Sequence, residues 1–420
     1  MWNRHYKWFL LALLGCAYFF HQADRALFGL LTLPIQSDLG LDKLQIGRIN
    51  MVLSWTIAAV TFVAGFVGDR LSRKWIITLS LVFWSLATIG MGFAGAWQIG
   101  GFVVSAYLSV VLLRSLATGG GESFYGPSAM SLLASYHRET RSFAFSVHQA
   151  ALYVGLMTSG ILSAWALGLL GTWRRVFMAF GAAGLLLGVA FVWLLKDAPR
   201  EAKAADAERG SVVGALKAFF GNPSALLATS GFVAIVCVNN AYLFWAPTLF
   251  AERFGVSVGS SGTHAMFYHH LFAFGAILAG GWVTDRFVKR WPRFRLGFQI
   301  VALALGAPAL YLIGRADSFS GAVAMTAAYG LFRGLFEVNT HASVFDVVPA
   351  RFRASVVGFM LLLAFFIGGW FSGDLMGRVL QGSAADGYGT CFRLMALTYA
   401  IAAALMSVSF FWTFRKDRQP

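Results

Sequence analysis

The chain alternates between long apolar stretches and short segments rich in charge, glycine or proline. Apolar stretches of about 20 residues have the length of a helix that crosses the hydrocarbon core of a membrane. The pattern therefore predicts twelve membrane-spanning helices. In chain order these spans cover residues 8–33, 46–67, 75–94, 101–134, 143–170, 176–195, 226–250, 264–284, 296–314, 321–348, 355–376 and 388–414.

A charged motif occurs twice, each time between two neighbouring spans. The first copy runs Gly65-x-x-x-Asp69-Arg70-x-x-Arg73-Lys74, and half a chain later the second runs Gly281-x-x-x-Asp285-Arg286-x-x-Lys289-Arg290. Recurrence at the matching place in two sets of six spans indicates an internal duplication. A short basic connection of this kind also marks the cytoplasmic side of a membrane protein.

The longest polar stretch, KDAPREAKAADAERG at 196–210, lies between the sixth and seventh spans. The sequence therefore predicts an N-terminal six-helix bundle at 1–195, a cytoplasmic linker at 196–225 and a C-terminal six-helix bundle at 226–420. Within the linker, residues 212–220 are amphipathic and are expected to form a short helix on the membrane surface.

Composition agrees with a membrane protein. Of the 420 residues, 58% are hydrophobic and 12% are charged, and the mean hydropathy is +0.68. A soluble chain of this length could not bury so much apolar surface. About two thirds of the 33 Lys and Arg residues lie on the side of the predicted membrane that carries both termini, which places that side in the cytoplasm. We expect an integral protein of a bacterial inner membrane.

The same bias accounts for most of the net charge of +15. No zinc-finger, homeodomain or RNA-binding motif occurs, so no nucleic-acid partner is expected. The three cysteines, Cys16, Cys237 and Cys391, stand alone within apolar spans without metal-ligand spacing, so neither a disulfide nor a metal site is expected. No nucleotide-binding loop motif is present, which disfavours an ATP-driven pump. We expect neither a cofactor nor enzymatic activity.

Ionisable residues inside the spans are the candidates for function. Such side chains are costly in the hydrocarbon region and usually face a polar cavity. The first half holds Asp24 and Arg25 in its first span, with Arg114 and Glu122 in its fourth. The fifth span adds His148. A structural alternative exists, in which these charges neutralise one another and only hold helices together.

The second half repeats the combination of an arginine and a carboxylate. Arg333 and Glu337 are four residues apart in the tenth span, and a regular helix would bring His341 onto the same face. His269 and His270 are adjacent on the eighth span, point in different directions and are expected to contribute less. Asp374 and Arg378, at the outer end of the eleventh span, are expected to form a solvated pair.

Further polar groups at membrane depth are suited to binding hydroxyl groups, although each has the alternative role of a contact between helices. The candidates in this class are Gln149, Tyr153, Asn239, Asn240, Tyr242 and Asn339. Gln22, Asn50 and Tyr125 are polar groups of the same kind at membrane depth.

The repeated motif resembles that of the major facilitator superfamily, which reads Gly-x-x-x-Asp-Arg-x-Gly-Arg-Arg between the second and third helices and recurs in weakened form between the eighth and ninth. Ser72 and Val288 stand where the family usually has glycine. The resemblance implies an all-α membrane protein with 12 transmembrane helices in two pseudo-symmetric six-helix bundles, which works by alternating access. It also implies gating roles for Asp69, Arg70, Arg73, Asp285 and Arg286.

Two branches of that family share the buried charges. Asp24-Arg25, followed by Arg114 and the string Gly119-Gly120-Gly121-Glu122, resembles the organic anion to cation symporters, and spinster-like lipid transporters carry similar residues. This resemblance narrows the mechanism more than the substrate.

The residue chemistry suggests how transport would be driven. A carboxylate in a low-dielectric cavity can exchange protons, which favours Asp24 and Glu122 as proton carriers. The arginine guanidinium matches a carboxylate, so Arg25, Arg114 and Arg333 are the predicted anion-binding residues. The leading hypothesis is a monomeric symporter in the lipid bilayer that moves a proton with a small organic anion, such as a sugar acid. The alternatives are a spinster-like carrier of lysolipid or sphingoid lipid, a neutral sugar and proton symporter, and a non-transporting receptor of the same fold.

Overall fold

The computed structural model describes residues 2–68, 71–197, 212–382 and 386–418, and these are almost entirely helical. The helices of the first half are α1 (Trp2–Leu30), α2 (Thr32–Leu39), α3 (Lys43–Gly68), α4 (Arg73–Met91), α5 (Ala106–Val110), α6 (Gly119–Glu122), α7 (Tyr125–Tyr136), α8 (Arg141–Leu170) and α9 (Trp173–Leu194).

The second half begins with the short helix α10 (Val212–Phe220), where the sequence predicts an amphipathic one. The helices that follow are α11 (Pro223–Phe254), α12 (Val258–Phe287), α13 (Phe294–Arg315), α14 (Phe319–Glu337), α15 (Thr340–Phe345), α16 (Arg353–Trp370), α17 (Met376–Gly382), α18 (Gly387–Val408) and α19 (Phe414–Asp417).

Eight helices within the described residues are long and apolar enough to cross a membrane. They coincide with the third, fifth to ninth, eleventh and twelfth predicted spans. The first and tenth predicted spans correspond to α1 and α14, whose buried charges lower their hydropathy, and the second to α3, which ends where the described range 2–68 ends. The fourth is divided among shorter elements.

The start of the fourth span differs from the prediction. Residues 101–104 are not helical, because Trp97–Ile99 (β1) pairs with Phe102–Val104 (β2) in an antiparallel hairpin. Gly100 makes the turn with a positive φ of 59°, which glycine adopts without strain. Aromatic and β-branched residues favour this extended conformation over helix. The helix begins only at Ala106.

The fourth span is also irregular along its length. Between α5 and α6 the backbone forms a π-helical stretch, Val111–Thr118, a rare geometry that is frequent at functional sites. A Cβ atom at Gly119 would lie 2.7 Å from Leu53, and one at Gly121 would lie 2.9 Å from Phe83. These two glycines therefore allow close packing against α3 and α4.

Helix packing repeats between the halves. The third and sixth spans, α4 and α9, run along each other, and so do the ninth and twelfth, α13 and α18. In the first half α1 also packs along α8, around a buried core that includes Leu10, Tyr125 and Phe191. The repeated pairing is what a duplicated six-helix unit would produce.

The chain divides into two compact units. The first comprises Met1–Arg200, Leu243–Phe267 and Gly373–Arg378, and the second comprises Glu201–Tyr242, Tyr268–Ser372 and Val379–Pro420. Two segments from the second half of the sequence thus belong to the first unit. The division of the sequence at 1–195, 196–225 and 226–420 remains a prediction.

Candidate functional site

The buried charges of the first unit meet between α1, α4 and the interrupted fourth span. Asp24, Arg114 and Glu122 are each at most 8% exposed. Thr88 of α4 donates a hydrogen bond of 2.8 Å to Oδ2 of Asp24, whereas Oδ1 of Asp24 has no hydrogen-bond partner among the described residues. An unsatisfied buried carboxylate oxygen is costly, so this atom is available to a proton, a water molecule or a ligand.

Arg114 connects the fourth span to α1. Its Nη2 donates to the backbone carbonyl of Arg25 at 2.7 Å, and its guanidinium lies 5.9 Å from the centre of the Phe28 ring. Within the described part of the chain, its Nε and Nη1 atoms have no hydrogen-bond partner. Arg114 therefore presents two donors into the cluster while a third holds it in place.

Arg25 is arranged differently from Asp24, its neighbour in the sequence. The neighbouring carboxylate faces Thr88, and the contact of Arg25 with the cluster is made by its backbone oxygen. Its half-buried guanidinium lies within ion-pair distance of no carboxylate in the described ranges. It is a second arginine that can meet an anion.

His21 belongs to this cluster although sequence reasoning did not select it. Its Nε2 lies 3.5 Å from Oε2 of Glu122, and its Nδ1 lies 2.8 Å from the Nε2 amide of Gln22. The signal that could have found it is its spacing, because residue i−3 from Asp24 lies on the same face of a helix. Thr88 carried no comparable signal, since it is on another helix.

An aromatic stack borders Glu122 and contains the predicted residue His148. The His148 ring lies 4.4 Å from the ring of Tyr18 with only 9° between the planes, and its Nε2 is 3.3 Å from the hydroxyl of Tyr125. That hydroxyl also donates to the carbonyl of Leu14 at 2.6 Å. His148 is thus fixed by packing and lies on the wall of the cluster rather than among its charges.

The charges of the second unit centre on Arg333. Its Nη2 is 2.9 Å from Oε2 of Glu337, as the four-residue spacing predicts, and its Nη1 is 3.3 Å from Nε2 of His269. The His269 ring stacks on Tyr329 at 4.9 Å and lies 4.7 Å from Tyr242. Sequence reasoning gave His269 little weight, yet this imidazole is the direct neighbour of the arginine.

The other predicted residues of the second unit differ in their hydrogen bonds and in their exposure. Tyr242 donates to Thr326 at 3.3 Å, and the buried Asn339 donates to Thr284 at 3.0 Å. The amide oxygen of Asn239 has no hydrogen-bond partner in the described residues. His341 lies in α15, beyond the interruption that follows Glu337, and its side chain is exposed, although Glu337 still interacts with it electrostatically.

Three remaining candidates differ in burial. Tyr153 is buried, Asn240 is half-buried and Gln149 is exposed. Among the described residues there is no group of three His, Cys, Asp or Glu side chains that could hold a metal ion.

Three of the five predicted gating residues lie within the described ranges. Asp69 and Arg70 lie outside the described residues. Arg73 donates to the hydroxyl of Ser135 at 2.6 Å. Asp285 and Arg286 are exposed, and the Arg286 guanidinium lies 5.7 Å from the centre of the Trp282 ring.

A second charged cluster lies within the first unit, at the start of α3. Lys43 is 2.7 Å from Glu252, and Nε of Arg48 is 2.8 Å from Oδ1 of Asp374. Asp374 also binds Arg378 at 2.6 Å, so the predicted pair forms, and its arginine is exposed. The carboxylate, however, is buried and bridges two arginines, Arg48 and Arg378. Beside it, a Cβ atom on Gly47 or Gly373 would collide with the carbonyl oxygen of the other, which shows how closely the two backbones approach.

The sequence profile of the Major Facilitator Superfamily matches residues 14–373. This chain belongs to the major facilitator superfamily. It is an integral membrane transporter and not an enzyme, and the predicted fold of two six-helix bundles is that of the family.

Two relatives of this facilitator protein are named for sugar acids. It is 27% identical to the hexuronate transporter of Bacillus subtilis (strain 168) over 92% of this chain and 90% of that one. It is 26% identical to the probable galactarate/D-glucarate transporter GudP of the same organism, over 68% of this chain and 66% of the relative, which is just under two thirds of it.

Other matches carry the name spinster. Protein spinster homolog 1 of Xenopus tropicalis is 25% identical over 87% of this chain and 72% of the relative. The crystal structure of a bacterial homolog to human lysosomal transporter spinster, in an inward-facing and unoccupied conformation, superposes with a TM-score of 0.84 over 99% of both chains at 19% identity. The structural likeness at this identity shows the facilitator fold alone.

Proposed function

We propose that this protein is a proton-coupled symporter of a small organic anion, such as a sugar acid or a related hydroxylated metabolite. The proposal rests on the cluster of buried charges in the first unit, Asp24, Arg114 and Glu122. There, the buried Arg114 has two unsatisfied donor nitrogens and interacts electrostatically with two buried carboxylates, Asp24 and Glu122. The cluster holds more buried charge than the packing of α1 against the fourth span requires.

The coupling follows from competition for the arginine. When Asp24 and Glu122 are both charged, they attract Arg114 and repel an incoming anion. A proton on one carboxylate removes that repulsion and leaves the guanidinium to the substrate, which it can bind in a bidentate manner. Release of the substrate returns the arginine to the carboxylates and expels the proton. Proton and anion therefore move in the same direction.

Arg25 and the charged cluster around Arg333 contain further candidates for anion recognition. Arg25 has a guanidinium without a carboxylate partner in the described chain. Arg333 contacts both Glu337, through Nη2, and Nε2 of His269, through Nη1. Tyr242, Asn239 and Asn339 are hydrogen-bonding groups suited to hydroxyls. Within this proposal His148, Gln149, Tyr153, Asn240 and His341 have secondary roles, and the exposed ones, Gln149 and His341, have the weakest claim.

Alternating access requires contacts that form on one side of the membrane and break on the other. The pairs Lys43–Glu252 and Arg48–Asp374 are suited to this role, because each joins α3 to a segment from the second half of the sequence. Asp69, Arg70, Arg73, Asp285 and Arg286 form the corresponding predicted set on the opposite side. We place the protein in a bacterial inner membrane as a monomer with both termini in the cytoplasm, with the substrate, the proton and lipid as its partners.

Uptake into proteoliposomes tests the substrate class. We expect accumulation of D-glucarate or a hexuronate when the outside is made acidic, and its loss when a protonophore collapses the gradient. A neutral hexose and a lysophospholipid are the comparison substrates. Gradient-driven uptake of the hexose alone would indicate a neutral sugar symporter.

A spinster-like lipid carrier is the second candidate, favoured by the match to protein spinster homolog 1 over most of this chain. Movement of the lysophospholipid without uptake of either acid would replace the leading proposal with this one.

A further inference from the structure

A basic and aromatic pocket lies in the second unit, away from the charges just described. It has a volume of about 480 Å³ and lies where α13 begins and α19 ends. The side chains that define it are Trp291, Arg293, Phe410, Phe414, Arg415 and Arg418. We propose that this pocket binds the phosphate headgroup of an anionic phospholipid.

The charges of the pocket are not compensated by protein. Arg293, Arg415 and Arg418 form no ion pair with any carboxylate of the described residues. The nearest acidic residue in sequence, Asp417, accepts a hydrogen bond from the backbone nitrogen of Ser224 at 3.0 Å. Three unpaired guanidinium groups around one cavity attract an anion, and phosphate matches their planar donor geometry.

Arg295, two residues along the chain, provides the contrast. Its Nη1 binds both carboxylate oxygens of Asp346, at 2.7 and 3.0 Å. Arg295, near the start of α13, is therefore paired with an acidic residue, whereas the three arginines that line the pocket are not.

The aromatic side chains shape the pocket. The Arg293 guanidinium lies 5.6 Å from the centre of the Phe410 ring, in the range of a cation–π contact. The Phe410 ring is itself confined, because a Cβ atom on Gly297 would lie 3.1 Å from it. Arg293 is thereby held over a fixed ring rather than extended into solvent.

The position favours a lipid over a soluble anion. The pocket adjoins the ends of two helices that are apolar enough to span a membrane, Phe294–Arg315 and Gly387–Asp417. Trp291 is 60% exposed, and Trp412, three residues before Arg415, is 68% exposed, as expected of side chains in the headgroup region. The Lys and Arg bias assigns this end to the cytoplasmic side, where anionic lipids interact with basic residues close to the surface. A phospholipid can place its phosphate among the arginines and its chains along the exposed aromatics.

Native mass spectrometry of the full-length protein in detergent tests the proposal, with phosphatidylglycerol and phosphatidylcholine as matched probes. We expect the wild type to retain phosphatidylglycerol in preference, and the triple variant Arg293→Gln, Arg415→Gln, Arg418→Gln to bind it about a hundredfold more weakly, at about fivefold for each arginine. Arg351→Gln, which removes an exposed arginine outside the pocket, is the control and should retain the preference.

Three results would overturn the assignment. The first is unchanged phosphatidylglycerol binding in the triple variant, and the second is an equal loss of phosphatidylglycerol binding in Arg351→Gln. The third is that inorganic phosphate or glycerol 3-phosphate, at millimolar concentration, occupies the pocket as well as phosphatidylglycerol does. The last would indicate a site for a soluble phosphate compound. If the triple variant fails to fold, Arg418→Gln alone carries the test, with an expected loss of about fivefold.

Discussion

The Nε2 atom of His21 lies 3.5 Å from a carboxylate oxygen of Glu122, and both side chains are buried. The Nε2 amide of Gln22 lies 2.8 Å from the other ring nitrogen of His21. Because an amide NH₂ can only donate, that ring nitrogen accepts, and Nε2 carries the hydrogen that points to Glu122. His21 therefore favours the charged form of Glu122, and an imidazole becomes part of the proposed proton site.

Neutral replacements of the two carboxylates test that site. We expect Asp24→Asn and Glu122→Gln each to abolish accumulation driven by a pH gradient while substrate exchange continues, since a neutral isostere resembles the protonated state. Proteoliposome uptake and counterflow measure the two activities separately. Glu139→Gln, a change at an exposed carboxylate, is the matched control. Gradient-driven accumulation that survives in both variants would remove Asp24 and Glu122 from the mechanism.

Replacement of His21 tests its contact with Glu122. In His21→Phe the ring volume is largely kept but the donor is lost, so Glu122 should take up its proton more readily. The pH at which uptake falls to half should rise, by at most about one unit, because an N–H group that approaches a carboxylate to 3.5 Å contributes about 1 kcal/mol or less and one pH unit corresponds to 1.36 kcal/mol.

The control for this measurement is His264→Phe, since the His264 ring bonds to the carbonyl of Ser260 one turn earlier in its own helix. An identical pH profile in His21→Phe and wild type would assign His21 a packing role. A reduced rate at every pH would give the same answer.

Sequence patterns account for the helices and for most of the buried charges, because both depend on local composition. Apolar runs give the spans, and the cost of a charge in hydrocarbon identifies Asp24, Arg114 and Arg333. Two local features were missed. The predicted fourth span begins at 101, but Phe102–Val104 is the second strand of a hairpin, and apolar residues of this kind suit either conformation. The interruption before Thr340 contains no proline, so the sequence gives no sign of it.

Partners across helices could not be predicted in the same way. Thr88 reaches Asp24 from α4, and His269 reaches Arg333 from α12, and no spacing in one chain relates such residues. The bridge from Arg48 to Asp374 was missed for the same reason, since 326 positions separate the two residues. Helix packing determines these contacts, and single-sequence periodicity describes only one helix at a time.

A cross-link tests whether the ion pair of Lys43 with Glu252 must open. In a Cys16→Ser background, which removes the exposed native thiol, we expect a reducible bifunctional reagent to join cysteines placed at 43 and 252 and to stop turnover. Substrate binding should persist, and reduction should restore transport. The double variant without reagent controls for the lost ion pair. Full turnover after complete cross-linking would show that this contact is permanent.

The first copy of the charged motif, before α4, leads to another prediction. The resemblance to the family implies a role for Asp69 in holding the cytoplasmic side closed, so we expect Asp69→Asn to lower the transport rate severalfold with little change in the dissociation constant. Asp317→Asn, at an exposed position outside both copies of the motif, is the comparison. Uptake rates and equilibrium binding on the same preparations measure the effect. Equal rates would leave the loop with a role in membrane orientation only.

Lysine substitution of the arginines separates an anion carrier from a lipid carrier. Arg114 anchors itself to the carbonyl of Arg25 with one nitrogen and presents two others, which a lysine cannot do at once. For a small anion, Arg25→Lys and Arg114→Lys should each weaken binding about tenfold to a hundredfold, because a hydrogen bond to a charged group contributes about 1.5–3 kcal/mol. A lipid carrier would depend more on acyl chain length, at about 0.8 kcal/mol per buried CH₂.

Calorimetric titration distinguishes an anion carrier from a lipid carrier. Wild type and both variants are titrated with a hexuronate and, in parallel, with lysophospholipids of decreasing chain length. Equal hexuronate affinities in all three proteins would exclude these arginines from anion recognition and favour the lipid or neutral-sugar alternative.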